Sequence, residues 1–258
     1  RKLEWQFATA IRVTASGAGG TYTPAEQWVA FGSPASFTVS PDEGKCLYVV
    51  TNDFSTATWL TTDVTIPCVR APLNCFATYR SAYYVKPDGD DANDGTSRAT
   101  AKRTIAAAVA LTSSTVDGEA VFVMDGVYTN TAQITINKPC KVIGEHGPDK
   151  AMIFSKASTR VFYLDNAKAL LEGIAIYSDA TTSIGGNAAI YVNYGVVDGC
   201  VVSNFVSTHS PIVKNVGSAV KNTLVCRNAT SGRTQCGIEL SGSGTLAENC
   251  RIIGNTGN

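Results

Sequence analysis

Apolar and polar positions alternate in a short phrase that recurs four times between residues 169 and 258. Each copy has a charged residue, then Gly or Asn, then alternating apolar positions; the copies lie at 171–176, 197–202, 220–225 and 247–252. Aligning Gly173, Gly199, Asn222 and Asn249 gives nearly even steps of about 25 residues, a spacing typical of stacked solenoid repeats. Gly or Asn before alternating positions indicates a turn that enters a short strand. Because such a repeat cannot bury its apolar face alone, the pattern predicts a parallel β-helix.

Residues 1–80 follow a different pattern. The segments 10–15 and 35–41 alternate, and these two segments and the segments 27–32 and 46–50 are separated by Gly, Pro and Asp residues. Short strands with these turn signals are typical of a small antiparallel β module. We therefore predict two domains, a β module over 1–80 and a β-helix over 81–258.

One helix is predicted, over residues 104–111. Thr104 can cap its N-terminus, and Ile105 and Val109 would form its apolar side, with Ala108 and Leu111 at the margins. The end of a β-helix exposes unpaired strand edges, so we expect this helix to cover the N-terminal end of the solenoid.

Two family resemblances accompany these patterns. The order of the segments 83–96, 104–111, 120–128, 133–136 and 141–145 resembles the first coils of pectin-lyase-like bacterial proteins, which implies an all-β, right-handed parallel β-helix with a short N-terminal capping helix. The segments 13–17, 20–24, 31–33, 37–44 and 75–79 resemble divergent internalin-type B-repeats of bacterial surface proteins, which are spacers or stalks. The first resemblance is specific for fold and says little about activity, because that superfamily includes lyases, hydrolases, adhesins and structural proteins.

Composition narrows the function classes. Only 16% of the 258 residues are charged, and 21 basic residues balance 21 acidic ones, so nucleic-acid binding is not expected. No apolar run is long enough to span a bilayer. The first residues lack the apolar core of a signal peptide, so the chain is either cytosolic or already processed. The resemblances favour the second alternative and predict a secreted or cell-surface protein with its signal peptide removed.

The eight cysteines leave two interpretations open. Disulfides are compatible with an extracellular protein, and one bridge among Cys46, Cys68 and Cys75 would leave a thiol over. Cys200 and Cys250 follow the predicted turns and are expected to pack as small core residues.

An acidic loop is the candidate metal site. Asp88, Asp90, Asp91 and Asp94 lie close together in the chain, and carboxylate oxygens are the ligands that calcium prefers. The loop does not match an EF-hand, and the alternative is a turn whose side chains bind their own backbone. Calcium is the one cofactor that the sequence suggests.

Two columns of polar residues are predicted to be structural. Glu172, Asp198, Lys221 and Glu248 occupy one position in successive coils, and Lys221 would relieve the repulsion between acids. Asparagines at 204, 228 and 255 would form a ladder inside a turn, with Asn204 one residue early.

No set of residues converges on a catalytic site. Beyond the acidic column, the carboxylates of the coils are Asp165, Asp179 and Glu239, and no basic residue is paired with them in the pattern. His146 and His209 lie far apart in turn-like contexts and are expected to be exposed. We therefore assign no catalytic residues from the sequence.

The sequence supports two functional hypotheses. The first is a bacterial structural or adhesive β-helix protein with a carbohydrate or cell-surface partner. The alternative is an extracellular polysaccharide lyase or glycoside hydrolase. The first hypothesis includes head-to-tail assembly into a filament, in which an N-terminal strand covers the uncapped coil that ends near Ile253 of the next subunit. The apolar residues of that strand would be Leu3, Trp5, Phe7 and Ile11.

Overall fold

The computed structural model describes residues 10–54, 58–59, 61–179, 181, 183–185, 187–215, 217–230 and 237–257. Its contacts divide the chain into two units, Arg1–Ser81 and Ala82–Asn258. In the part of the chain that is described, no helix has the length and hydrophobicity to cross a bilayer.

Two small sheets form the first unit. The strands are β1 (Ala10–Ser16), β2 (Gly20–Thr23), β3 (Glu26–Ala30), β4 (Ala35–Pro41), β5 (Lys45–Asn52), β6 (Thr58–Trp59), β7 (Asp63–Ile66) and β8 (Leu73–Val85). Residues 82–85 of β8 belong to the second unit. One sheet has the order β3-β1-β8-β5-β6, and the other has the order β2-β4-β7. Alternate residues such as Val13, Phe37 and Val50 are buried between them. The predicted antiparallel module is confirmed, except that β1 pairs with β8 in parallel.

The second unit is a stack of coils. After helix α1 (Ile105–Leu111) its first strands are β9 (Glu119–Val123), β10 (Gly126–Asn130), β11 (Ile134–Ile136), β12 (Cys140–Gly144), β13 (Ala151–Ser155), β14 (Phe162–Glu172) and β15 (Ala175–Ser178). The later strands are β16 (Ile190–Asp198), β17 (Val201–Ser203), β18 (Val206–Ser207), β19 (Ile212–Lys214), β20 (Ala219–Lys221), β21 (Leu224–Cys226), β22 (Ala229–Thr230), β23 (Ile238–Leu240), β24 (Leu246–Glu248), β25 (Arg251–Ile253) and β26 (Thr256–Gly257).

All strand pairs within this stack are parallel, which confirms the predicted β-helix. One face has the order β10-β13-β15-β17-β21-β25, and a short face has the order β18-β22-β26. A larger sheet contains two further rows of strands. Its first row is β9, β12, the end of β14, the end of β16, β20 and β24, and its second row is β11, the start of β14, the start of β16, β19 and β23.

The predicted repeat matches the observed register. Glu172 pairs with Asp198, Asp198 with Lys221, and Lys221 with Glu248, which reproduces the alignment of the four phrases. The residue after each has a left-handed backbone: φ is 65° at Gly173, 59° at Gly199, 48° at Asn222 and 51° at Asn249. Only residues that tolerate positive φ fit at this corner, which explains why the phrase has Gly or Asn there.

The core of the second unit contains inward columns of aliphatic residues. Ile153, Ile176, Val202 and Val225 follow one another in register, and each is 0% exposed. Each side chain therefore packs against the equivalent residues of the neighbouring coils, and the apolar area that one coil cannot bury is buried by the next.

Helix α1 covers one end of these columns, as predicted. The Thr104 hydroxyl accepts a hydrogen bond from Ala107 N at 3.2 Å. Ile105, Ala108 and Val109 are buried in the solenoid core. The last carbonyl groups of the helix have a partner that the sequence analysis did not foresee. Lys138 Nζ donates to Val109 O at 3.1 Å and to Ala110 O at 2.7 Å.

The N-terminal strand that the head-to-tail prediction requires lies mostly outside the described residues. Leu3, Trp5 and Phe7 lie outside the described residues, whereas Ile11 is buried in the core of the first unit. Head-to-tail assembly therefore stays a prediction.

Val202→Asp should prevent the solenoid from forming a stable native state. The side chain is 0% exposed, and an unpaired buried carboxylate costs several kcal/mol against a total stability of about 5–15 kcal/mol. The matched control is Ser203→Asp, since Ser203 is the next residue and points outward. Circular dichroism melts should show a large loss for the first variant and little change for the second; equal melting temperatures would contradict the inward placement.

Candidate functional site

The acidic loop is organised around the start of helix α1. The Asp91 carboxylate accepts hydrogen bonds from Arg103 N, Thr104 N and Thr104 Oγ1, each at 2.9 Å. Asp94 Oδ1 accepts from Thr96 N, Thr96 Oγ1 and Thr100 Oγ1 at 3.0, 3.1 and 2.6 Å. These contacts order the loop that precedes the helix.

The other two members of the loop are less engaged. Asp90 Oδ1 accepts from Ala92 N at 3.0 Å, which is the turn that the alternative interpretation predicted, and Asp88 is exposed. Among the described residues, no group of three or more His, Cys, Asp or Glu side chains is arranged to hold a metal ion. Calcium binding by Asp88, Asp90, Asp91 and Asp94 stays a prediction.

Asp91→Ala should lower the free energy of unfolding by about 1–3 kcal/mol at neutral pH, because three hydrogen bonds to a charged acceptor are lost. Burial opposes ionisation of Asp91, but hydrogen bonds from Thr104 and Arg103 outweigh it and lower its pKa. The folded-state pKa is then below the unfolded value, so this contribution is present above the unfolded pKa and is lost as pH falls through the folded pKa. Denaturant melts at several pH values should show the wild-type advantage shrinking in acid.

The same melts test calcium when they are repeated with chelator and with added calcium. A calcium-dependent rise in melting temperature that Asp90→Ala abolishes would establish metal binding. Identical curves would leave only the turn-forming role of the loop.

The predicted acidic column exists, but its pairing differs from the prediction. Lys221 Nζ lies 3.3 Å from Glu248 Oε2, while the Asp198 carboxylate accepts from Asn222 Nδ2 at 2.7 Å. Among the described residues, Lys221 thus forms an ion pair with Glu248 only, and the carboxylate of Asp198 is hydrogen-bonded by the Asn222 amide at the adjacent corner. At Glu172, burial and then the nearby Asp198 carboxylate raise the pKa.

Glu172→Gln should stabilise the protein near pH 7. A carboxyl whose folded-state pKa is raised stabilises the fold below its unfolded pKa, and that stabilisation is lost as pH rises through the folded pKa. Removing the charge should therefore help at neutral pH and have no effect in acid. Glu248→Gln is the matched control and should not stabilise, since it removes an ion pair. The difference is measurable by chemical denaturation at pH 3 and pH 7.

The asparagine ladder is confirmed for two of its three predicted members. Asn228 Nδ2 donates to Asn255 Oδ1 at 2.9 Å, and Asn228 Oδ1 accepts from Phe205 N at 3.0 Å. The third, Asn204, instead occupies the left-handed corner that Arg227 occupies in the next coil, with φ values of 62° and 56°. In the coil of Asn204, Phe205 occupies the position equivalent to Asn228, so the ladder has one asparagine fewer than predicted.

The cysteines favour the packing interpretation. The seven described cysteines are thiols, including Cys46, Cys68 and Cys75, and Cys236 lies outside the described residues. Cys200 is buried, and burial raises its pKa to about 12, which suits a core residue rather than a reactive one. Cys250 is partly buried and packs against the solenoid core.

A cluster that the sequence analysis missed lies on the outer surface of the strands β14, β16 and β19. We call it the tyrosine face. It consists of Arg160, Tyr163, Asp165, Tyr191, Asn193 and Asn215, which are all partly exposed. Strand pairing places Tyr163 beside Tyr191, with ring centroids 5.8 Å apart and ring planes inclined by 49°.

Arg160 bridges the two rings. Its guanidinium carbon lies 5.4 Å from the Tyr163 ring centroid and 4.9 Å from that of Tyr191, within cation–π distance of both. Its Nη2 donates to Asn187 Oδ1 at 3.2 Å. Its Nε is buried and has no hydrogen-bond partner in the described part of the chain. The guanidinium therefore fixes the ring pair and retains unused donor capacity.

A chain of polar contacts surrounds the rings. Asn215 Nδ2 donates to Tyr191 Oη at 2.8 Å and to Asn193 Oδ1 at 3.1 Å, and Asn193 Nδ2 donates to Asp165 Oδ1 at 2.7 Å. Burial and then the charge and hydrogen bond of Asp165 raise the pKa of Tyr163, so its hydroxyl stays protonated. The face thus combines aromatic planes with a connected set of amide, hydroxyl and carboxylate groups.

The three coil carboxylates named in the sequence analysis lie in three different places. Asp165 belongs to the tyrosine face, and Asp179 is exposed and directly follows β15. Glu239 follows Tyr163, Tyr191 and Val213 along one register, and its Oε2 is buried without a hydrogen-bond partner among the described residues.

The two histidines lie outside the tyrosine face. His146 is exposed, as predicted, and its Nδ1 lies 2.8 Å from Asp125 Oδ1. His209 is partly exposed.

Comparison with known proteins returns no family model and no curated sequence that matches. Solved structures that resemble the chain include a rhamnogalacturonan lyase, at 14% identity and TM-score 0.47 over 66% of this chain and 51% of that one. Pectate lyase Pel9A matches at 21% identity and TM-score 0.46 over 66% and 46%, and a pectin methylesterase in complex with a hexasaccharide at 13% and 0.34 over 66% and 65%. This chain therefore aligns with about half the length of the first two.

The chain is a parallel β-helix protein, as its sequence predicted. The assignment depends on the strand order and register of its own coils.

Proposed function

We propose that the β-helix unit binds a carbohydrate chain on the tyrosine face and that the protein is a secreted or surface-attached carbohydrate-binding protein. The observation that carries this proposal is the partly exposed Tyr163–Tyr191 pair, fixed by Arg160 beside a connected polar network. Sugar rings present apolar C–H faces and a rim of hydroxyl groups. Aromatic planes next to amides and a carboxylate complement both parts.

The direction of the site also suits a polymer. The two tyrosines belong to consecutive coils, and outward positions of a β-helix recur about every 4.8 Å along its axis. A chain bound along this axis could contact Tyr163 and Tyr191 with successive units, while Asn193 and Asn215 offer hydrogen bonds beside them. Exposed Tyr194 is paired in register with Asp165 and would widen the platform.

Binding is favoured over hydrolysis by the separation of the carboxylates. Asp165 lies in the same stretch of β14 as Tyr163, and Glu239 is three register steps from Tyr163, or about 14 Å at ~4.8 Å per step. Glycosidases place their two carboxyl groups about 5–9.5 Å apart. Asp165 also accepts a hydrogen bond from Asn193, so a role in orienting polar groups suits it better than proton transfer.

Tyr191→Ala should weaken carbohydrate binding roughly tenfold, which corresponds to about 1.4 kcal/mol of lost ring contact. Calorimetry against polygalacturonate, xylan and cellulose oligosaccharides measures this effect. The matched control is Tyr177→Ala, because Tyr177 also points outward from a strand and contacts Phe154 at a ring distance of 5.3 Å on another face. Equal affinity losses in both variants, or no saturable binding to any carbohydrate, would contradict the proposal.

The same polysaccharides test the enzymatic alternative. Ultraviolet absorbance detects the unsaturated products of a lyase, and a reducing-end assay detects hydrolysis. Turnover by the wild type that Asp165→Asn abolishes would replace the binding function with catalysis at the same face.

A further inference from the structure

A cavity of about 390 Å³ lies in the β-helix unit, between the first turn of helix α1 and the loop that joins β10 to β11. Its size is within the range of small-molecule sites. It shares no residue with the tyrosine face and belongs to a different part of the coil. A ligand here would therefore be bound independently of a carbohydrate on that face.

The floor of the cavity is apolar. Ile105, Ile134 and Ile153 line it and are at most 7% exposed, so each presents only a small part of its side chain. Val127 also lines the cavity and is 48% exposed. A large aliphatic side chain exposed beside buried isoleucines provides a wall against which an apolar ligand body can pack.

The rim carries a cation without an acidic partner. Arg103 lines the cavity, and its Nε donates to Gly89 O at 2.9 Å. No acidic side chain of the described residues lies within ion-pair distance of its guanidinium. The nearby Asp91 carboxylate is engaged by the backbone N–H groups of Arg103 and Thr104, so its charge is already stabilised.

A second donor at the cavity also lacks an acceptor. Asn130 lines the cavity, and its Oδ1 accepts a hydrogen bond from Ala132 N at 2.9 Å. Its Nδ2 is buried and has no hydrogen-bond partner within the described ranges. Buried donors are satisfied in nearly all native structures, so this donor is available to an acceptor that enters the cavity.

We propose that this cavity binds a small carboxylate ligand with an apolar body. The carboxylate pairs with Arg103 and accepts from Asn130, and the apolar body packs on Ile105, Ile134 and Val127. A guanidinium recognises a carboxylate through charge-assisted hydrogen bonds, which neutral analogues cannot form as strongly.

The test uses the whole chain and three carboxylate probes: acetate, hexanoate and phenylacetate. Calorimetry should show saturable binding that strengthens with the apolar body, and phenylacetamide, the neutral analogue, should bind at least tenfold more weakly than phenylacetate. Arg103→Gln should weaken phenylacetate binding at least tenfold. Arg251→Gln is the matched control, since Arg251 is exposed on the last described coil and does not line the cavity.

Several outcomes would overturn the proposal: no saturable binding by any of the three probes, equal affinity for phenylacetate and phenylacetamide, or unchanged affinity in Arg103→Gln. If Arg103→Gln lowers the melting temperature so far that binding cannot be measured, Asn130→Asp takes its place. A carboxylate at position 130 should repel the carboxylate of the ligand. Unchanged affinity in Asn130→Asp would also contradict the site.

Discussion

Register between successive coils is the constraint on which the rest of this β-helix depends. Inward residues such as Val142, Leu171 and Val197 are 0% exposed only because the same position of the next coil carries another aliphatic side chain. A slip of one residue would turn every inward side chain outward. Stability and the position of each outward side chain are therefore set by the same parallel pairing.

The corners maintain that register. Left-handed residues at Gly173, Gly199, Asn222 and Asn249 turn the chain at equivalent points, and hydrogen bonds join these corners across successive coils. Asn249 Nδ2, for instance, donates to Asn222 Oδ1 at 2.7 Å. A corner can therefore contribute both the backbone conformation that the turn requires and a polar contact along the stack.

Outward positions are free of both demands, which is why the tyrosine face lies there. The tyrosine face depends on two rings that only the stacking of coils brings together. Arg160 contacts both rings, and the amides of Asn193 and Asn215 link Tyr191 to Asp165 by hydrogen bonds. The cavity depends on a different feature, the junction of helix α1 with the first coil, where Arg103 has no acidic partner among the described residues. One solenoid thus presents two chemically distinct surfaces.

The sequence by itself determined the corners, the inward columns and the capped helix, because positive φ, alternation and a Thr N-cap each restrict residue type locally. It did not reveal the tyrosine face. Counting back evenly from the equivalent corners Gly173 and Gly199 would place Tyr163 beside Ala189, yet Tyr163 pairs with Tyr191, because the register shifts between Leu164 and Leu170 of β14. Only the tertiary structure decides such a bulge, since it depends on how neighbouring coils pack.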